Sequence, residues 1–151
     1  MNENELLPGH ECPVARALHV IGDRWSLMIV RDAFDGIRRF SEFQKNLGVA
    51  RNILASRLKT LVEVDVFEVR PASDGTAYKE YVLTAKGRAV FPIVVSLRQW
   101  GERFEFEPHE PRSVLLDNAS AQPLMPMVVR SSKGEALEPF DCHRVRVVAE
   151  G

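Results

Sequence analysis

The stretch Ala50-Arg51-Asn52-Ile53-Leu54-Ala55-Ser56-Arg57-Leu58-Lys59-Thr60-Leu61 decides how the rest of the chain is read. Leu54, Leu58 and Leu61 recur at helical spacing and form one apolar stripe. The opposite face carries Arg51, Asn52, Ala55, Ser56 and Lys59. Arginine can donate two hydrogen bonds to a guanine edge, asparagine can pair with adenine, and Ala or Ser permits close approach. A solvated helix usually mixes acids among its bases, yet no acid occurs from Gln44 to Val62. The pattern predicts a helix that packs by its leucines and turns a DNA-reading face outward.

Upstream, Phe40, Phe43 and Leu47 share one face of a short helix over Phe40 to Asn46, and Gly48 turns the chain into the next helix. Two amphipathic helices joined by a short turn make a helix-turn-helix. Downstream, Val66-Phe67-Glu68-Val69-Arg70 and Tyr78-Lys79-Glu80-Tyr81-Val82-Leu83 read as strands, and Asp74-Gly75 lies in the turn between them. A hairpin in that position is a wing. The fold class expected is α+β: a winged helix-turn-helix with dimerising N- and C-terminal helices and a small β-rich C-terminal appendage.

The flanking helices follow from the same rules. Val14, Ala17, Leu18 and Ile21 line one face of a first helix, with Pro13 suited to its first position and Gly22 to its stop. Asp23 caps a second helix through Trp25 to Phe34, apolar on most sides and expected at the centre. Thr84 caps a long helix carrying Phe91, Val94, Val95, Leu97, Trp100 and Phe104, which Pro92 should kink or divide. Its apolar surface exceeds what so small a domain can bury, and a second subunit is the simplest cover. Prolines 108, 111, 123, 126 and 139 exclude long helices beyond it, while residues 114–116 and 127–129 read as short strands. The organisation expected is a flexible segment 1–11, a winged domain 12–107 and an appendage 108–151.

Composition limits the function classes. An apolar fraction of 45% with 27% charged residues is that of a soluble globular protein. No apolar run approaches the roughly 20 residues needed to span a bilayer. The segment MNENELLPGH lacks a positive stretch followed by an apolar one, so a cytoplasmic location is expected. Two cysteines, Cys12 and Cys142, give no disulfide framework and no CxxC knuckle. Net charge is −1, but its distribution is uneven: residues 16–60 hold nine Lys/Arg against four Asp/Glu. Positive charge gathers where the helix pair lies, as a phosphate-binding face requires. No Ser-His-Asp set, Gly-rich phosphate loop or metal motif supports an enzyme, and no cofactor is expected.

Taken in order, Cys12-Pro13-Val14-Ala15-Arg16-Ala17-Leu18, Ile21-Gly22-Asp23-Arg24-Trp25, Arg38-Arg39-Phe40-Ser41-Glu42-Phe43, Leu54 to Leu61 and Tyr81-Val82-Leu83-Thr84-Ala85-Lys86-Gly87-Arg88 resemble the HxlR-type family of bacterial winged-helix regulators, relatives of the MarR group. The resemblance covers about residues 12–104. It implies a homodimeric DNA-binding transcriptional regulator, expected to be a repressor on a palindromic operator. The alternative is a winged-helix protein-interaction module without DNA binding. Two departures stand out. Asp65 replaces the family's usual glycine after the recognition helix, where a left-handed stop is needed. Some relatives carry a zinc-ribbon-like extension, but here Asp117, Ser120, Arg130 and Lys133 stand where ligands would be. Lys and Arg cannot replace thiolates on zinc, so a ribbon remnant without metal is expected.

The candidate DNA contacts are Arg51, Asn52, Ser56 and Lys59 at base edges and groove, with a merely solvated face as the alternative. Arg38, Arg39 and Ser41 open the preceding helix, where bases, a hydroxyl and free N–H groups suit a phosphate; local capping is the alternative. Arg70 and Lys79 in the wing suit the minor groove or its phosphates, or are lone surface charges. Arg57 is expected to pair with an internal acid. Cys12 falls at a helix N-cap, where the dipole favours a thiolate, although Glu11 opposes this. The resemblance implies redox or electrophile sensing there; a small residue at a dimer contact is the other reading. Trp25, Met28, Trp100 and Phe104 line either a pocket for a small-molecule effector or plain core.

Overall fold

A computed structural model describes residues 11–147; the expected loose segment 1–11 lies outside that range except for Glu11. Contacts divide the chain into two compact units, Met1–Val94 and Val95–Gly151.

The first unit opens with α1 (Pro13–Ile21) and α2 (Arg24–Phe34). Asp23 ends the link between them by accepting a hydrogen bond from the Ser26 N–H at 2.9 Å, the N-cap that its position predicts. Next come α3 (Phe40–Leu47) and α4 (Arg51–Glu63). Gly48 joins them at φ 63°, a left-handed stop that a side chain adopts only with strain. The wing is β1 (Phe67–Pro71) antiparallel to β2 (Lys79–Leu83), with Phe67 opposite Leu83 and Pro71 opposite Lys79. After α5 (Ala85–Arg88) the helix α6 (Phe91–Phe104) begins. Pro92 stands in its first turn, so the proline divides the expected long helix into α5 and α6.

The core of this unit is built from Ile29 and Val30 of α2, Phe43 of α3, Leu54, Leu58 and Leu61 of α4, and Val66 and Phe67 at the wing root. The three leucines are fully buried, as their spacing requires. Phe43 and Phe67 meet edge to face with centroids 6.3 Å apart. Asp65 takes φ 64°, the left-handed conformation in which glycine is the usual residue. The Thr84 hydroxyl donates to its carbonyl at 2.5 Å and accepts from the Gly87 N–H at 3.1 Å. A Cβ on Gly87 would lie 2.2 Å from the Val66 carbonyl oxygen, so only glycine fits against the wing root there.

The apolar face of α1 behaves differently. Only Ile21 joins the core, while Val14 and Leu18 are 66% and 60% exposed.

In the second unit α6 is followed by irregular chain with turns at residues 108–110, 118–120 and 132–134. The expected strands 114–116 and 127–129 do not form ladders: beyond α6 the described residues pair only through isolated bridges, Leu116 with Pro123 and Arg130 with Ala136. Side chains substitute for the missing ladder. Gln99 donates to the Met125 carbonyl at 3.0 Å and accepts from the Met127 N–H at 2.6 Å. Arg98 donates to the Ser113 hydroxyl at 2.9 Å. A 3-10 turn at Pro139–Asp141 follows.

Candidate nucleic-acid interface

Burying Leu54, Leu58 and Leu61 fixes the rotation of α4 and turns Arg51, Asn52, Ala55, Ser56 and Lys59 outward, all exposed. The Arg51 guanidinium lies 4.9 Å from the centre of the Phe40 ring, a cation–π contact that reaches from α4 back to α3. Arg57, on the flank of the helix, pairs with Asp23 at 3.5 Å, and both side chains are partly exposed, so the expected partner is an acid but not an internal one. That spacing is too long for a hydrogen bond, and the buried Arg57 Nε has no hydrogen-bond partner among the described residues. Burial pushes the Asp23 carboxyl up, but hydrogen bonds from Ser26 and the charge of Arg57 outweigh it and hold the group below the usual carboxylate range.

The pose of the two helices depends on a buried acid that the sequence does not advertise. Asp32 of α2 has no exposed surface. Its carboxylate accepts from Arg31 Nε at 3.1 Å, Arg31 Nη2 at 2.8 Å and Asn46 Nδ2 at 2.8 Å. The last bond ties α2 to the end of α3. Asp32 is the one acid of α2, next to Arg31, and the sequence gives no other hint of this role.

Arg38, Arg39 and Ser41 sit where α3 begins, and the structure gives the two arginines partners in the wing. Arg38 lies 3.6 Å from Glu80, and its carbonyl accepts from the Tyr81 N–H at 2.8 Å. Glu80 is nearly buried and accepts from the Ser73 N–H at 3.1 Å and the Ser73 hydroxyl at 3.0 Å, which with Arg38 lower its pKa. Arg39 forms an ion pair with Asp74 at the wing tip and stacks over Tyr78, 5.2 Å from the ring centre. Ser41 stays exposed. In the wing, Arg70 pairs with Glu68, and Lys79 is exposed with no ion pair among the described residues. Asp74, Tyr78 and Phe40, read from sequence only as turn, strand and core residues, therefore belong to this face.

A family model of the HxlR-like helix-turn-helix matches residues 20–109, the span that carries these elements. The chain belongs to this family. HxlR-like relatives include an uncharacterized HTH-type transcriptional regulator of Mycobacterium tuberculosis, Rv3095, 40% identical over 124 residues that make up 82% of this chain and 78% of that protein. Among solved structures, PA1607, a candidate transcription factor, superposes with a TM-score of 0.86 at 51% identity, covering 90% of this chain and 95% of that one. The redox regulator HypR in its reduced form superposes at 0.56 with 30% identity, over 62% of this chain and 93% of its own. This HxlR-like chain is thus a transcriptional regulator of helix-turn-helix type with a winged fold.

The remaining sequence candidates fall elsewhere. Cys12 is the half-buried N-cap of α1, and neither it nor Cys142 forms a disulfide among the described residues. Trp25 and Met28 are half-buried on α2 in the first unit. Trp100 and Phe104, 58% and 57% exposed on α6, pack with ring centroids 5.5 Å apart and tilted by 51° in the second unit. They line an open cleft of about 640 Å³ with Leu124, Pro126, Met127 and Val129. At the ribbon-like positions, Asp117 accepts from the Ala119 N–H at 2.9 Å and the Ser120 hydroxyl at 3.1 Å. Arg130 donates to the Gly134 carbonyl at 3.0 Å. No helix among the described residues is long and apolar enough to cross a membrane.

Proposed function

We propose that this chain binds a palindromic operator as a homodimer, with α4 of each subunit in the major groove, and represses the adjacent promoter by occupying it. The observation that carries the reading is the exposed face Arg51, Asn52, Ser56 and Lys59 above a fully buried leucine stripe. It offers amide and guanidinium groups to base edges with small residues between them. Arg38, Arg39 and Ser41 take flanking phosphates, and Arg70 and Lys79 follow the backbone or minor groove at the wing. Dimerisation is supported by the exposed Val14 and Leu18 of α1 and Leu97, Trp100 and Phe104 of α6, which leave water on association. The protein acts where its DNA is, in the cytoplasm, and catalysis has no part in this reading.

The likeness to the redox regulator HypR supports Cys12 as a sensing thiol whose modification relieves repression. The cleft at Trp100 and Phe104 is the place for a small-molecule effector.

The test is a binding titration on DNA upstream of the protein's own gene and on its scrambled counterpart, at one stated salt, before and after treatment with a thiol oxidant. Preferential binding to the upstream DNA, lost on oxidation in wild type and retained in Cys12→Ser, is the expected result. A folded protein that binds neither duplex would overturn the DNA-binding reading.

A further inference from the structure

Arg39 is at once a sequence-predicted phosphate contact and the partner of a carboxylate in this structure. Asp74 reaches it from the wing tip, and the guanidinium also lies over the Tyr78 ring. Both partners remain open to water, with side chains 26% and 49% exposed, so a third charged group can reach the pair. Asp74 is itself held in position: its Oδ1 accepts from the Thr76 N–H at 3.0 Å, which leaves Oδ2 for Arg39. A carboxylate so placed resembles a phosphate oxygen in charge and in its geometry toward a guanidinium.

We propose that Asp74 is an internal counter-ion that occupies Arg39 in the unbound protein, that a DNA phosphate takes its place on binding, and that this exchange cancels most of what Arg39 would otherwise add to the affinity for duplex DNA. The inference rests on the DNA-binding reading above. Its physical content is an exchange of one anion for another on the same guanidinium. Each cation released from the DNA by Arg39 is matched by one returned to the freed Asp74 carboxylate, so this contact adds little to affinity or to salt dependence. Removing the charge of Asp74 removes the competitor. Asparagine keeps a side-chain oxygen for the Thr76 N–H, so the turn survives the substitution.

The experiment compares wild type, Asp74→Asn, Arg39→Ala and the double variant on a short scrambled duplex across a salt series, with circular dichroism to show that each is folded. Asp74→Asn should bind tighter at low salt. Its log–log salt slope should steepen by up to about 0.9 per chain, so the loss of affinity between about 50 and 200 mM salt grows three- to four-fold per chain. In the Arg39→Ala background the same substitution should change nothing. Three results would overturn the exchange. If Asp74→Asn weakens binding, the pair serves to hold the wing. An equal gain with and without Arg39 marks a general effect of charge. An unchanged affinity and slope show that Arg39 never meets a phosphate. Absence of wild-type binding to any duplex at low salt is a separate failure, that of the DNA-binding reading itself.

Discussion

Asn46→Ala tests the joint between α2 and α3. The amide of Asn46 donates to Asp32 Oδ2 at 2.8 Å, and Asp32 has no exposed surface. In the variant that oxygen loses the donor and sits in a site too enclosed for bulk water to replace it fully. A hydrogen bond to a charged group contributes about 1.5–3 kcal/mol, and a buried acceptor left unsatisfied costs a similar amount. The two bonds from Arg31 remain, which favours a figure near the middle, about 2 kcal/mol. For a chain of this size that corresponds to a melting temperature lower by about 4–8 °C. Urea unfolding at neutral pH and fixed protein concentration should show a lower midpoint with an unchanged slope, the signature of a stability change alone. Asn46→Asp should be worse, because it sets a second carboxylate against a buried one. If Asn46→Ala unfolds at the wild-type midpoint, water or a rearranged Arg31 satisfies Asp32, and the idea that this bond fixes the helix-turn-helix is wrong.

Other consequences follow from the same geometry. Asn52 is exposed on α4, so Asn52→Ala should leave stability unchanged and lower operator binding about ten-fold, with scrambled DNA little affected; equal losses on both duplexes would reassign it to a phosphate. Trp100→Glu or Leu97→Glu should convert a dimer into monomers by sedimentation at micromolar concentration, whereas a folded wild-type monomer would end the dimer reading. Hydrogen bonds from the Thr76 N–H and hydroxyl, with Arg39, hold the Asp74 carboxyl at about 2. The unfolded carboxyl titrates near ~3.9, so the contribution of this wing contact is present above that pH and fades as pH falls through the folded value. An NMR titration of Asp74 with its midpoint near the unfolded value would contradict this. Elemental analysis should find no stoichiometric zinc, since Asp117 is occupied by its own turn and Arg130 and Lys133 are cations.

Local rules carried the sequence reading wherever the decisive partner lies a few residues away. The caps at Asp23 and Thr84 come from one side-chain oxygen and an N–H three residues on, so they can be read directly. The leucine stripe of α4 fixes which face is outward because helical periodicity is a property of the segment itself. Gly48 and the proline at the start of α6 are legible for the same reason, since each acts through its own backbone angles, whereas the left-handed turn at Asp65 was legible only through the family resemblance. Tertiary structure decided what depends on distant partners. Arg39 and Asp74 are 35 residues apart, and nothing near either residue names the other. Asp32 looks like an ordinary helix charge until the fold buries it and brings Asn46 within bonding distance. Segments 114–116 and 127–129 have strand-like composition, but a ladder needs an edge in register; Gln99 of α6 takes the Met127 N–H and the Met125 carbonyl, and Arg98 the Ser113 carbonyl, instead. Sequence alone therefore determined the helix-turn-helix and the outward face of α4, because periodicity and capping act within one segment. Only the fold could decide which charges meet, because an ion pair forms between neighbours in space.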